Sequence, residues 1–115
     1  MPVSPITTHV LDTASGHPAT GLPITISIED NGQWKQVGKG ETNADGRITD
    51  LLPHDKPLKA ARYLMHFDTG TYFRKKSIQG FYPYVEVVFE IKQTTQHYHV
   101  PLLLSPFGFS TYRGS

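Results

Sequence analysis

Ile24-Thr25-Ile26-Ser27-Ile28-Glu29-Asp30-Asn31-Gly32 reads as a strand running into a hairpin. Its three isoleucines alternate with polar residues, the period of a strand with one buried face. Asn31-Gly32 is the dipeptide that best tolerates the left-handed backbone of a tight two-residue turn. Residues 34–42 then form the return strand, polar and twisted by Gly38 and Gly40. Asn43-Ala44-Asp45-Gly46 is a second turn, with Asp45 and Gly46 suited to positive φ. A short strand over 47–52 and a loop over 53–57 follow. Residues 61–68 alternate again, with Tyr63, Met65 and Phe67 on one face and Leu64 and His66 on the other. Thr69 is placed to cap a brief helix over 70–77 that ends at Gly80. Residues 84–91 set Val85, Val87, Phe89 and Ile91 against Glu86 and Glu90. Two last strands cover 97–104 and 109–113. About eight short strands separated by turn signals, with one late helix, predict an all-β fold, a Greek-key β-sandwich.

The 115 residues make a single domain, 1–115, large enough to bury a core without covalent staples. Nine prolines and ten glycines agree with many strands and turns. With no cysteine, the chain has no disulfide, no thiolate metal site and no cysteine nucleophile. A net charge of +1, spread along the chain, gives no basic face for nucleic acid. No apolar run approaches the length of a membrane span. The first twenty residues carry no apolar segment of the secretory kind, and the last three are not Ser-Lys-Leu. The expected compartment is the cytoplasm, with the peroxisome as the alternative for a eukaryotic source.

Six histidines are the groups that titrate near neutrality. His17 and His54 sit beside proline in turn-like segments and read as solvated. His66 lies on a strand and reads as a satisfied core or edge residue. His97 and His99 are two apart on one strand and share a face. That spacing is half of a metal site, but no third ligand presents itself, so no metal is expected. His97 reads as a residue flanking His99. Arg47 follows Asp45-Gly46, either as a solvated residue at a turn exit or as a guanidinium fork held at a strand start. Ser115 is a nucleophile only with a base beside it, and no Gly-x-Ser-x-Gly elbow is present. Spacing alone does not bring His9, Arg47, His99 and Ser115 together.

Three separated motifs change the reading. They are Thr8-His9-Val10-Leu11-Asp12, Thr42-Asn43-Ala44-Asp45-Gly46-Arg47, and His97-Tyr98-His99-Val100-Pro101 leading to the terminal Tyr112-Arg113-Gly114-Ser115. Together they resemble the transthyretin-related 5-hydroxyisourate hydrolases over nearly all of the chain. In that family a terminal Tyr-Arg-Gly-Ser separates the enzymes from the hormone-carrying transthyretins. The resemblance implies a transthyretin-like sandwich of two four-stranded sheets. It implies hydrolysis of the ring amide of 5-hydroxyisourate to 2-oxo-4-hydroxy-4-carboxy-5-ureidoimidazoline, with no metal or organic cofactor. His9, Arg47, His99 and Ser115 fall on the catalytic positions, and Tyr112 joins His9, Arg47 and Ser115 in holding substrate. It further implies a homotetramer, a dimer of dimers with the sites in the channel between them. A small-ligand carrier of the transthyretin kind is the alternative. A bulky Tyr112 on the channel face argues against it.

Overall fold

The hairpin around Asn31 builds the first sheet of the computed structural model, which describes residues 4–115. Strands β3 (Pro23–Asp30) and β4 (Gln33–Glu41) meet at Asn31 and Gly32, whose φ angles are 52° and 75°. The inward side chains Ile24 and Ile26 are buried, while Lys35, Gln36 and Lys39 of β4 face solvent. The register slips between Ile26 and Ser27, leaving Val37 unpaired in a bulge that bends this outer strand. Strand β6 (Ala61–Phe67) pairs with β3, and β7 (Val85–Ile91) pairs with β6. The order is β4-β3-β6-β7, antiparallel throughout. Tyr63, Met65 and Phe67 are buried, as their alternation predicts.

The second sheet joins the two ends of the chain. Strand β1 (Ile6–Asp12) runs parallel to β8 (Tyr98–Ser105), in register from Ile6 opposite Tyr98 to Asp12 opposite Leu104. Strand β9 (Gly108–Thr111) lies antiparallel on the far edge of β8. The remaining edge of β1 is shared by two strands of two residues each. These are β5 (Arg47–Ile48), opposite Thr8 and His9, and β2 (His17–Pro18), opposite Leu11 and Asp12. The expected sheet of four is therefore a sheet of five, because β2 and β5 fill one column end to end. The strand read over 47–52 stops at Ile48. Beyond it single bonds replace a ladder: Ser4 donates from its amide to the Thr49 carbonyl, and Leu52 donates to the Ser4 hydroxyl.

The core lies between the sheets, with Ile6, Val10, Leu102 and Leu104 facing Ile24, Ile26, Met65 and Phe67. The helix α1 (Thr69–Lys75) differs from expectation at both ends. Its cap is Asp68, which accepts from the Thr71 amide at 3.2 Å and the Thr71 hydroxyl at 2.8 Å. A carboxylate is the stronger acceptor for the free amides of a first turn, and the Thr69 hydroxyl instead donates to the Tyr82 carbonyl. The helix closes well before Gly80, because Ser77 takes a left-handed φ of 58° and donates back to the Arg74 carbonyl. Tyr72 of α1 donates its hydroxyl to the buried Asp12 carboxylate at 2.8 Å, tying the helix to the end of β1. Burial first, and then that carboxylate, raise the Tyr72 pKa, so the phenol stays protonated. Among the described residues no helix is long and apolar enough to cross a membrane.

Candidate active site

Strand alternation sorts β1 and β8 into an inner and an outer face. Ile6, Thr8, Val10 and Asp12 are buried toward the core, as are Tyr98, Val100, Leu102 and Leu104. Thr7, His9 and Leu11 therefore face outward on β1, and His99, Pro101 and Leu103 do so on β8. The parallel register sets Thr7 opposite His99 and His9 opposite Pro101. On the other edge of β1, His9 is opposite Arg47. His9, Arg47 and His99, far apart in sequence, thus stand on one sheet face, on three adjoining strands.

Arg47 is held by its backbone. The side chain of Asn43 accepts from the amides of Asp45 at 2.9 Å and Arg47 at 3.0 Å, and the Asn43 amide donates to the Arg47 carbonyl. Gly46 has a φ of 74°, and a Cβ there would stand 2.5 Å from the Val10 carbonyl oxygen. The turn therefore needs a glycine on two counts. It delivers Arg47 to the edge of β1 with its guanidinium exposed, and no carboxylate pairs with it among the described residues. An unpaired guanidinium at a fixed strand start is free to donate to the oxygens of a ligand.

His99 is the most constrained of the group. Burial holds its pKa below the ordinary imidazole value, and the neighbouring His9, His97 and Arg47 push it the same way. The ring is neutral at pH 7 and able to take a proton. Its Nδ1 lies 2.9 Å from the Thr7 hydroxyl oxygen, and the same oxygen lies 2.9 Å from Nε2 of His97. His97 is thus linked to His99 rather than merely flanking it. Thr7 is the residue that sequence reading missed. Its available signal was its place two positions before His9, hence on the same face.

The chain end closes the site. The β8–β9 register, Leu102 opposite Thr111, continues without a slip to a bridge between His99 and Gly114. The Gly114 amide donates to the His99 carbonyl at 2.8 Å. A Cβ on Gly114 would come within 2.6 Å of Cδ2 of His99, so the ring rests against bare backbone. Ser115 follows directly and is exposed. Tyr112 falls opposite Pro101 by the same register, which puts it on the His99 face, 57% exposed. Arg113 turns away, stacking 4.6 Å over the Tyr98 ring and donating to the Gln96 side chain.

The other histidines are placed as their surroundings predict. His17 and His54 are exposed. His66 lies on the other sheet, 2.9 Å from a Glu86 carboxylate oxygen and stacked on Tyr84. Among the described residues no three His, Asp or Glu side chains cluster as metal ligands. Two hollows in the monomer lie elsewhere, one lined by Ile28, Val37, Leu58 and Tyr63 and the other by Thr25, Trp34, His66 and Glu86. Neither includes His9, Arg47 or His99, which stand on an open face.

Residues 6–114 match the family described as the HIUase/Transthyretin family. The chain is 50% identical over 114 residues to the 5-hydroxyisourate hydrolase of Mus musculus, covering 97% of this chain and 96% of the mouse protein. It is similar to the solved 5-hydroxyisourate hydrolase of Klebsiella pneumoniae, with a TM-score of 0.84, 34% identity and coverage of 96% and 98%. It is also similar to sea bream transthyretin solved with thyroxine, with a TM-score of 0.90, 32% identity and coverage of 96% and 95%. Backbone likeness does not separate the two activities.

Proposed function

The chain belongs to the HIUase/transthyretin family, and from that membership we propose that it is a 5-hydroxyisourate hydrolase acting through His9, Arg47, His99 and Ser115. The observation that carries the site assignment is the gathering of two imidazoles, an unpaired guanidinium and the chain end on one outer sheet face. The reaction adds water across a ring amide of 5-hydroxyisourate and releases 2-oxo-4-hydroxy-4-carboxy-5-ureidoimidazoline. The water oxygen bonds to the carbonyl carbon, the carbon–nitrogen bond breaks, and the nitrogen leaves with a proton. Neutral His99 takes the proton from the attacking water, a role worth about 10²–10⁴-fold. Its lowered pKa keeps it in the neutral form that can accept a proton. His9 orients the water or delivers the proton to the departing nitrogen. Arg47 holds the substrate oxygens and stabilises the oxyanion that forms at the attacked carbonyl. Ser115, next to the glycine that abuts His99, orients the imidazole, and Tyr112 flanks the substrate.

The carrier reading has less support. A long aromatic ligand needs an open passage along this face, and Tyr112 stands in it. The carrier also has no use for a neutral imidazole beside an unpaired arginine.

Purified protein mixed with freshly generated 5-hydroxyisourate should speed its ultraviolet decay, and chelator treatment should leave the rate unchanged. Loss with chelator and recovery with zinc would turn the His97/His99 pair into a metal site. The same assay run across pH checks the base. The neutral form of His99 is active, so kcat/KM should fall as pH drops through its pKa. Because that pKa is lowered, the fall should centre below the ordinary value of about 6.5. A profile flat down to about pH 4 would remove a neutral imidazole from the mechanism, given that reference value.

The assembly belongs to the same proposal. Catalytic groups on an open face, with half-buried Leu11 and Leu103 and exposed Tyr112 beside them, support a tetramer in which two dimers stack over this face. The strand β8 is apolar on both faces apart from His99 and Ser105, more than one sandwich core needs. Light scattering at micromolar concentration should give the mass of four chains, and monomer alone would end this reading.

A further inference from the structure

A hydroxyl group carries one proton and cannot donate to two acceptors at once. Thr7 Oγ1 lies 2.9 Å from Nε2 of His97 and 2.9 Å from Nδ1 of His99. When both rings are neutral, at least one of these nitrogens must therefore carry its own proton and donate it to the Thr7 oxygen. If both did, the proton of this nearly buried hydroxyl would have no acceptor among the described residues, so two arrangements remain, and they couple the tautomers of the two histidines through a single oxygen. In one, Thr7 donates to His99, which places the His99 proton on Nε2. In the other, Thr7 donates to His97, which places the His99 proton on Nδ1 and leaves Nε2 with its lone pair.

We propose that Thr7 is a positioning residue that holds His99 as the Nδ1–H tautomer, donating its own proton to Nε2 of His97. Three observations favour this direction. First, Nδ1 of His99 is committed to Thr7, so Nε2 is the ring nitrogen left to meet a water molecule. Second, the His97 ring is exposed, so solvent can accept from its Nδ1–H. Third, the register puts the Arg47 guanidinium on the same sheet face as His99, and a lone pair turned toward a fixed positive charge is favoured over a second N–H. The oxygen is well fixed for the task. Thr7 is nearly buried between β8 and the outer face, and its β-branched side chain has few rotamers. Once His99 has taken a proton, its Nδ1–H still donates to Thr7, so the imidazolium forms with no change of geometry.

The inference rests on His99 being the base, and its test reads the tautomer without reference to turnover. Full-length protein carrying ¹⁵N-labelled histidine should show, above the His99 pKa, a protonated Nδ1 and a bare Nε2 on His99. His97 should show the same pattern, its bare Nε2 accepting from Thr7. Thr7→Val keeps the shape and the strand preference but has no hydroxyl. It should lose the single-tautomer signature and lower kcat about tenfold or more, with KM within about twofold. Thr7→Ser restores the hydroxyl and should recover both the spectrum and most of the rate. A bare Nδ1 on His99 in the unaltered protein overturns the proposal. So does a Thr7→Val variant whose spectrum and kcat are both unchanged. If Thr7→Val does not fold, the spectrum of the unaltered protein and of Thr7→Ser decides alone. The His99→Ala variant tests the base assignment separately, since its activity does not bear on which nitrogen Thr7 selects.

Discussion

His99→Ala should lower kcat by about 10²-fold or more while the fold stays intact, because in the proposed mechanism it removes the group that accepts the proton of the attacking water. Arg47→Ala should cost about as much by a different route, since it deletes the donor that meets the developing oxyanion. His9→Ala belongs with them. None of the three side chains contributes to the sandwich core, so melting temperatures should stay within a few degrees of the parent. The measurement is steady-state decay of 5-hydroxyisourate beside a thermal melt of each variant. Folded variants that keep activity within about tenfold, or roughly 1.4 kcal/mol of barrier, would show that the face formed by β1 and β8 is not the catalytic one.

Gly114→Ala should be nearly as damaging, although it adds one methyl group and removes nothing. The added carbon would lie within 2.6 Å of Cδ2 of His99 and 3.3 Å of the Pro101 ring. Either the imidazole swings and loses Thr7, or the chain end lifts and carries Ser115 away. Each outcome displaces a reacting group by about an ångström, and displacement of that size costs about 10²-fold in well-ordered sites. The sandwich itself should be spared, because Gly114 lies at the last bridge of the sheet and outside the core. A fully active Gly114→Ala protein would mean that the ring and the terminus adapt freely. The orientation assigned to His99 would then have no structural support.

The strands could be read from sequence where one face is wet. Residues 24–30 and 61–67 alternate cleanly, and both became the centre of the β4-β3-β6-β7 sheet. Period-two patterning says which side of a strand is buried but not which strand lies beside it. That is why the parallel contact of β1 with β8 was beyond a residue-by-residue reading. Strands of two residues, such as β2 and β5, hold no pattern to find. At the helix start, Asp68 and Thr69 are both good caps, and the choice was made by a distant acceptor, the Tyr82 carbonyl. The four residues of the candidate site came from motif resemblance, and no spacing rule gathered them. What brings them together is register: His9 to Arg47 through one edge of β1, and Thr7 to His99 through the other. The backbone position of Gly114 against the imidazole was equally invisible, since a terminal glycine is usually frayed and without partners.

The parallel join of the first strand to the eighth also governs when this protein can begin to work. Thr7 and His99 are separated by 92 positions along the chain. The β4-β3-β6-β7 sheet pairs segments closer in sequence, Ile24 with Phe67 being the farthest, and shorter loops cost less entropy to close. The β1–β8 pair waits until Tyr98–Ser105 has been made, and contacts of such long range form slowly. A nascent chain whose β8 has not yet emerged has a framework but no His99 in place beside Thr7. During refolding from denaturant, strand content should return ahead of turnover, and recovered activity times the last event of assembly.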